Sequence, residues 1–533
     1  MINIIKKGAG ASLVMLLALS SCKKELDRQP FSGIPAADAF ATADKCLLSL
    51  NGVYDAAQSS PYVDGGNRGY PFGAANIEQG EARGEDMINV AAFFQITYQA
   101  TYNPTTANNN GQFGALYAMI NKANLSNEGF IGAGTAGVIT PAVALQYQAE
   151  CRFLRAMAHH ELVINYCRPY RDNNGTLPGV PYREVGLNSA ALIEEAKTIP
   201  RGTVADVYTK ILADLDFAEA NLANTSSPVT VRASKGAVIA LKQRVKLHMG
   251  DWPGAIAEGN KLIPAGAGPY TSPIGGWVLT PSPDGPFITN PTGGSPESVF
   301  SIRNDALDGT GVNAALSNML GAANLGARGL LAISPIIFNK PEWLADDKRR
   351  SLLTVQGANA NGSNATNNYF TTKYRRYGTM DDFAPQIRYA EVLLNQAEAE
   401  ARQGTGVDAR ALDLLNAVRN RSLATPASQA YTAASFADKN AFISAILLER
   451  RIEFIGEGKR WPDIHRLAVD PDFSPGGIPG KVANGGQGAA LYGIGVAVTI
   501  GEAAKPYSDH RFIWPIPDTE VIQNPSFTQN PNY

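Results

Sequence analysis

A chain of 533 residues with 46 basic and 48 acidic side chains carries a formal charge of -2, so nothing in its electrostatics points to a nucleic-acid partner. Hydrophobic residues make up 44%, an ordinary level for a globular protein with a large core. Past the first thirty residues no apolar run approaches the ~20 residues of a membrane-spanning helix, and alternating strands do not recur as an outer-membrane barrel would require.

The N-terminus carries an address. Lys6 and Lys7 precede an apolar stretch from Ala11 to Leu19, which ends in Leu19-Ser20-Ser21-Cys22. The apolar run is about half of a spanning helix, and small residues before a cysteine complete the pattern of a bacterial lipoprotein export signal. Residues 1–21 are therefore expected to be removed. Cys22 becomes the new N-terminus and carries lipid such as palmitate, which anchors the protein to a membrane without spanning it. Residues 22–35 read as a tether.

Helical periodicity then comes in separated blocks. The first covers about 36–57 and the second about 114–127. The third, 141–166, begins with a proline suited to a first helical turn. The fourth, 203–222, opens on Thr203 as N-cap and repeats Val207, Ile211, Leu215 and Ala218 on one face. Further helices are expected at 234–248 and 253–263, and in the C-terminal third at 385–403, 408–421, 439–456 and 461–467. Short turns between neighbours predict helix hairpins. Cys151 and Cys167 would stand roughly 24 Å apart on one helix, beyond the ~7 Å limit for a disulfide. With Cys46 they read as small buried residues.

Long polar, aromatic and glycine-rich stretches separate these blocks, at 59–111, 264–295, 309–329 and 355–369. Loops of that length are commonly functional. The expected organisation is one domain over 36–533. Its helical scaffold covers 36–58, 114–263 and 385–467, its loop-rich binding portion 59–113 and 264–384, and its C-terminal tail 468–533.

Several blocks resemble, in order, the SusD/RagB family of outer-membrane nutrient-binding lipoproteins. They are AECRFLRAMAHHELVINYCRPY (149–170), TVADVYTKILADLDFAEANL (203–222) and RASKGAVIALKQRVKLHMGDWPGAIAEGNKLI (232–263), then ESVFSI (297–302), IRYAEVLLNQAEAEARQG (387–404) and ALDLLNAVRNRS (411–422). ILLERRIEFIGEGKRWPDIHRL (446–467) and WPIPDTEVIQNPSFTQNPNY (514–533) complete the series. The resemblance implies a mainly α fold, a tetratricopeptide-like scaffold of about four helix pairs with a large irregular ligand-binding portion. It also implies a lipid-anchored protein on the cell surface that binds glycan or another nutrient and acts as lid to a SusC-like TonB-dependent transporter. No enzyme activity and no cofactor are implied. Glu449, Arg450, Glu453 and Trp461 are expected to fix the docking of the last helices, Arg152 and Arg155 to be structural, and the final segment to wrap the scaffold. His159-His160 departs from the family's usual aromatic or aliphatic residues.

The chemistry-bearing residues fit binding better than catalysis. Five histidines without an HExxH pattern give no metal site, and no nucleophile signature or phosphate loop stands out. Glu78, Glu81, Glu85 and Asp86 are expected to form a solvated loop with one or two structural pairs, and no EF-hand pattern supports calcium there. Sugar recognition needs flat aromatic rings and polar side chains at their edges. By loop location and side-chain type, Trp277 is the first candidate, followed by Tyr270, Tyr70, Phe72, Tyr98 and Tyr102, with Asn76, Arg83 and Asn89 as polar partners. The alternatives are a peptide or other nutrient in the same transport role, a lipid-anchored glycan hydrolase, and an adaptor whose only ligand is protein.

Overall fold

The computed structural model describes residues 38–59, 68–288, 294–305, 311–357 and 367–533. The export signal, Cys22 and the tether lie outside the described residues.

The scaffold is a succession of capped helices. Helix α1 (Ala43–Gln58) starts when the Thr42 side chain accepts from the Lys45 amide, and it buries Cys46, Leu50, Val53 and Ala57. Helix α2 (Ala74–Ala82) follows, then the long helices α3 (Ala107–Thr135) and α4 (Pro141–Tyr166). Helix α5 (Val204–Asn221) opens with a reciprocal capping box between Thr203 and Asp206. Ser234 caps α6 (Lys235–Met249), and Gly250, at a φ of 76°, reverses the chain so that Asp251 caps α7 (Trp252–Leu262). The C-terminal third supplies α8 (Tyr389–Gln403), α9 (Ala409–Asn420), α10 (Lys439–Glu453) and α11 (Arg460–Leu467). Helix α3 packs on α4, α4 on α5, α6 on α7 and α8 on α9, while α5 with α6 and α7 with α8 join successive pairs. This is the mainly helical, hairpin-stacked architecture expected of a tetratricopeptide-like scaffold.

Several boundaries differ from the periodicity reading, α3 running on to Thr135 rather than 127 and α10 ending at Glu453 rather than 456. Helix α1 begins at Ala43, where Thr42 supplies a cap, rather than near 36. Helix α3 extends back through the asparagine run, because Asn108 and Asn109 are buried and packing overrides their weak helix propensity. The segment from 385 begins as a strand and becomes helical only at Tyr389.

Short strands organise the loop-rich portions. Strands β1 (Met87–Asn89), β3 (Leu331–Ile333), β5 (Tyr369–Thr371) and β4 (Thr354–Gln356) form an antiparallel sheet in that spatial order, and β2 (Ser298–Ile302) pairs with β6 (Ala384–Arg388). The first sheet ties the 59–113 portion to the 264–384 portion. The 59–111 stretch is accordingly not one loop, since it holds α2, β1 and a short helix at Gln95–Gln99.

Buried charge joins these strands to the last helices. Arg388 meets Glu297, Glu453 at 3.1 Å and Glu457 at 2.7 Å, while Arg421 meets Glu453 at 2.6 Å and Arg349 meets Glu449 at 2.6 Å. Burial alone would raise the Glu453 carboxyl, but Arg421, Arg388 and Arg349 outweigh it and hold it at about 2. A second cluster docks α10 on α11 through Arg450–Asp463 at 3.0 Å and α11 on α8 through Arg466–Glu398 at 2.7 Å. Arg155 binds Asp214 at 2.6 Å, and Arg152 lies 3.9 Å over the Phe217 ring. The tail lies across α4, with the Trp514 amide donating to Asn165 O at 2.8 Å and Asn530 Nδ2 to Tyr166 O at 2.9 Å. Cys46, Cys151 and Cys167 are buried free thiols.

Candidate functional site

Eight of the nine residues picked from the sequence as ligand contacts lie in the interior. Trp277 is 6% exposed. Its ring lies against Gly236, where an added Cβ would come within 2.1 Å of it, and against Gly275. Tyr270 is buried beside it in chain order, and Phe72 is core. The Tyr70 hydroxyl accepts from Gln79 Nε2 at 3.1 Å. Tyr98 donates to Val482 O at 2.7 Å under the Lys481 ammonium, and Tyr102 donates to Arg511 O. Arg83 donates to Asn165 and to Phe512 O, and Asn89 Nδ2 donates to Asn484 Oδ1 at 2.8 Å. Glycines beside an aromatic residue mark close backbone approach here, so the rings fill the core under the loops instead of facing solvent. Asn76 alone is half-buried. It accepts from Gln112 Nε2 at 3.1 Å and borders a cleft of about 50 Å³ with Glu161 and Lys459.

The acidic cluster is also buried, not solvated, because α2 packs against α11. Its structural pairs are Glu85 with Arg460 at 2.6 Å and with Arg451 at 2.8 Å, and Asp86 with Arg451 at 2.5 Å. Burial pushes the Glu81 carboxyl up to about 8, despite the hydrogen bond its Oε1 accepts from the Gly458 N–H at 2.8 Å. Among the described residues no three His, Cys, Asp or Glu side chains converge as a metal site. His159 stacks on Tyr182 at 3.7 Å and bonds to Arg155 O, while His160 sits edge-on to Tyr208; both rings are packing elements.

Among the half-buried rings that the loop portions present is Phe93. Of the Phe93-Phe94 pair, Phe94 is buried and Phe93 is half-buried, and the rings meet edge-on at 4.9 Å. The Arg68 guanidinium lies 5.3 Å from the Phe93 centroid and that of Arg328 lies 5.2 Å from it. Arg68 donates to Asn108 Oδ1 at 3.2 Å, and Arg328 donates to Asn313 Oδ1. The Val90 amide donates to Leu330 O at 2.8 Å, holding both loop portions together just behind this face. Arg68, Phe93 and Asn108 come from the first portion, Asn313 and Arg328 from the second. Aromatic density alone does not single out Phe93 among its neighbours; a doubled aromatic followed by helical spacing (one ring in, one ring out) was the available signal.

Other concavities lie elsewhere, among them one of about 320 Å³ beside Tyr182 and Arg201. Another of about 320 Å³ is bordered by Phe287, Tyr374, Lys373, Arg375 and Arg388 near the β2–β6 pair. A larger groove of about 480 Å³ runs beside α1.

Comparisons with known proteins agree with this architecture. The SusD family model matches residues 352–533, and a SusD-like model described as starch-binding associating with outer membrane matches residues 68–247. SusD-like protein P2 of Formosa agariphila is 25% identical over 572 residues, spanning 99% of this chain and 100% of that protein. A SusD superfamily protein from Bacteroides fragilis superposes with a TM-score of 0.72 at 26% identity, covering 92% of this chain and 100% of its own. A laminarin-binding SusD-like protein shares the fold, with a TM-score of 0.65 at 19% identity over 92% of this chain and 100% of its own. With SusD-family models matching residues 68–247 and 352–533 and the fold shared over 92% of the chain, this protein belongs to the SusD/RagB family.

Proposed function

We propose that the protein is an outer-membrane lipoprotein, anchored through Cys22 and facing the cell surface. It captures an oligo- or polysaccharide on the Phe93 face and delivers it to a TonB-dependent transporter, for which it serves as lid. It binds its ligand without turning it over. The observation that carries this reading is the half-buried Phe93 ring, with the Arg68 guanidinium 5.3 Å and that of Arg328 5.2 Å from its centroid, where the two loop portions meet. A pyranose offers an apolar C–H face to aromatic and guanidinium planes, and its hydroxyls take amide and guanidinium hydrogen bonds at the rim. The exposed Asn313 stands at that rim beside Arg328, and the buried Asn108 holds the Arg68 guanidinium. Family membership, the sugar ligand of the laminarin-binding fold relative and the lipoprotein signal support the reading.

Affinity electrophoresis of the mature protein through laminarin, starch and other polysaccharides tests it. Retardation by a glycan, sharply weakened on Phe93→Ala and without release of reducing sugar, is the expected result. Release of product would make the protein a hydrolase. Retention by peptides alone would transfer the same transport role to a peptide nutrient.

A further inference from the structure

The groove of about 480 Å³ beside α1 shares no residue with the Phe93 face and has the size of a small-molecule site, ~300–1,000 Å³. Its floor is the outer face of α1. Leu47, Asn51 and Tyr54 recur there at helical spacing, while Leu50, Val53 and Ala57 of the same helix are in the core. Its wall is made by Gln146 and Tyr147 of α4 and by Arg303 just past β2. The floor and one wall therefore belong to scaffold helices, and the rest of the rim comes from the 227–232 connection and from Arg303 and Asp305.

The polar groups are already oriented. Tyr54 is fixed through its hydroxyl, which donates to Glu150 Oε2 at 2.7 Å and accepts from the Ala233 amide at 2.9 Å. Arg232 donates to Asn51 Oδ1 at 2.8 Å, which occupies the amide oxygen and leaves the Asn51 NH2 as the donor this groove residue can offer. Gln146 Nε2 points to Glu150 Oε1 at 3.4 Å, which leaves its carbonyl oxygen as an acceptor. One amide donor and one amide acceptor thus stand beside the half-buried Tyr147 ring, whose edge contact with Phe130 at 5.2 Å holds it in place. A sugar hydroxyl, donor and acceptor at once, matches that pair, and the ring matches a pyranose C–H face.

Charge selects the sugar class. Arg232 is neutralised by Glu150 at 2.7 Å and Arg303 by Asp305 at 3.0 Å, so the groove offers no unbalanced cation. Arg68 on the Phe93 face makes no ion pair among the described residues. We infer that the α1 groove is a second saccharide site, which takes a short neutral oligosaccharide through Tyr147, Asn51 and Gln146.

The test is calorimetric titration of the mature protein with maltose, cellobiose and laminaribiose, with digalacturonate as acidic control. At least one neutral disaccharide is expected to bind, to weaken about tenfold or more on Tyr147→Ala, and to bind Phe93→Ala unchanged. Tyr147→Phe should retain binding. If Tyr147→Ala does not fold, Gln146→Ala and Asn51→Ala on the exposed faces carry the comparison. No binding by any of the three neutral disaccharides overturns the inference. So does binding lost with Phe93→Ala but kept with Tyr147→Ala, or a preference for digalacturonate. The polysaccharide reading of the Phe93 face stands or falls separately, on retardation by polymers.

Discussion

The Arg83 guanidinium lies 3.3 Å from the ring centroid of Trp461 and 4.7 Å from that of Trp514. Trp461 belongs to α11, Trp514 to the tail, and Arg83 ends α2, so this one cation joins three distant parts of the chain. Its two hydrogen bonds, to Asn165 and Phe512 O, add α4 and a second point on the tail. Burial lowers its pKa to about 10, yet it stays charged at neutral pH. Arg83→Ala removes the stacking and strands both acceptors, which should cost roughly 2–4 kcal/mol. The urea midpoint should fall, and limited proteolysis should cut the tail near 513–533 first.

Trp277→Ala should behave as a core deletion. The ring fills the space beside Gly236 and Gly275, and emptying it should cost about 3–5 kcal/mol. Gly236→Ala forces the opposite error, a Cβ 2.1 Å from the same ring, and should also destabilise. Neither change should alter polysaccharide retardation at a temperature where the variant remains folded.

These variants mark where the sequence was legible. Helix blocks were readable because caps such as Thr203 and Ser234 and turns such as Gly250-Asp251 are local signals. Trp461, Glu449 and Glu453 were readable as docking residues from their helical spacing and the family resemblance of their block, although their partners Arg83, Arg349 and Arg388 lie far away in the chain. Trp277 and Tyr98 were not, because burial is a property of what folds over a residue. For Tyr98 that cover includes Val482, 384 positions away. The Phe93 face was hidden for the same reason: its second guanidinium, Arg328, arrives from another loop portion through the β1–β3 pairing.

The network around Glu453 should be intolerant of partial removal. Its carboxylate answers Arg388, Arg421 and Arg349, all buried. Glu453→Ala leaves those cations short of a counter-charge and should cost about 3–5 kcal/mol. Lys210→Ala, which breaks an exposed pair with Glu184, should cost ~1 kcal/mol or less. Denaturant titrations of both variants against the parent give the comparison.

Stability should respond to pH in two directions. Burial raises Glu391, but Arg244 and Lys459 outweigh it and hold the carboxyl at about 2, as the three arginines hold Glu453. For both groups the native state binds fewer protons than the unfolded chain. Their stabilisation is complete above the ordinary 4.5 and is lost as pH falls toward 2. Glu81 has the opposite sign. Burial pushes it up to about 8, so the native state keeps a proton that the unfolded chain releases above 4.5. Relative to Glu81→Gln, the parent should therefore lose stability steadily as pH rises from 4.5 to 8, and level off above it. Urea midpoints of the two proteins across that range measure the difference.

Phe93→Ala should reverse the behaviour of Trp277→Ala. Phe93 is half-buried at the rim of the core, and its loss leaves Phe94 in place, so the cost in stability should be small, about 1 kcal/mol. Polysaccharide retardation, in contrast, should fall sharply, to what the α1 groove alone supports, because the ring beside Arg68 and Arg328 is gone. Arg68→Ala separates the two parts of the recognition. If the guanidinium contributes charge to an acidic sugar, the affinity lost with it should shrink as salt rises, since ~0.1 M salt screens exposed charges beyond about 10 Å. If it contributes stacking and hydrogen bonds to a neutral sugar, the loss should be the same at low and high salt. Retardation measured for the parent, Phe93→Ala and Arg68→Ala at two ionic strengths distinguishes these outcomes. An unchanged Phe93→Ala would remove this face as the site of capture.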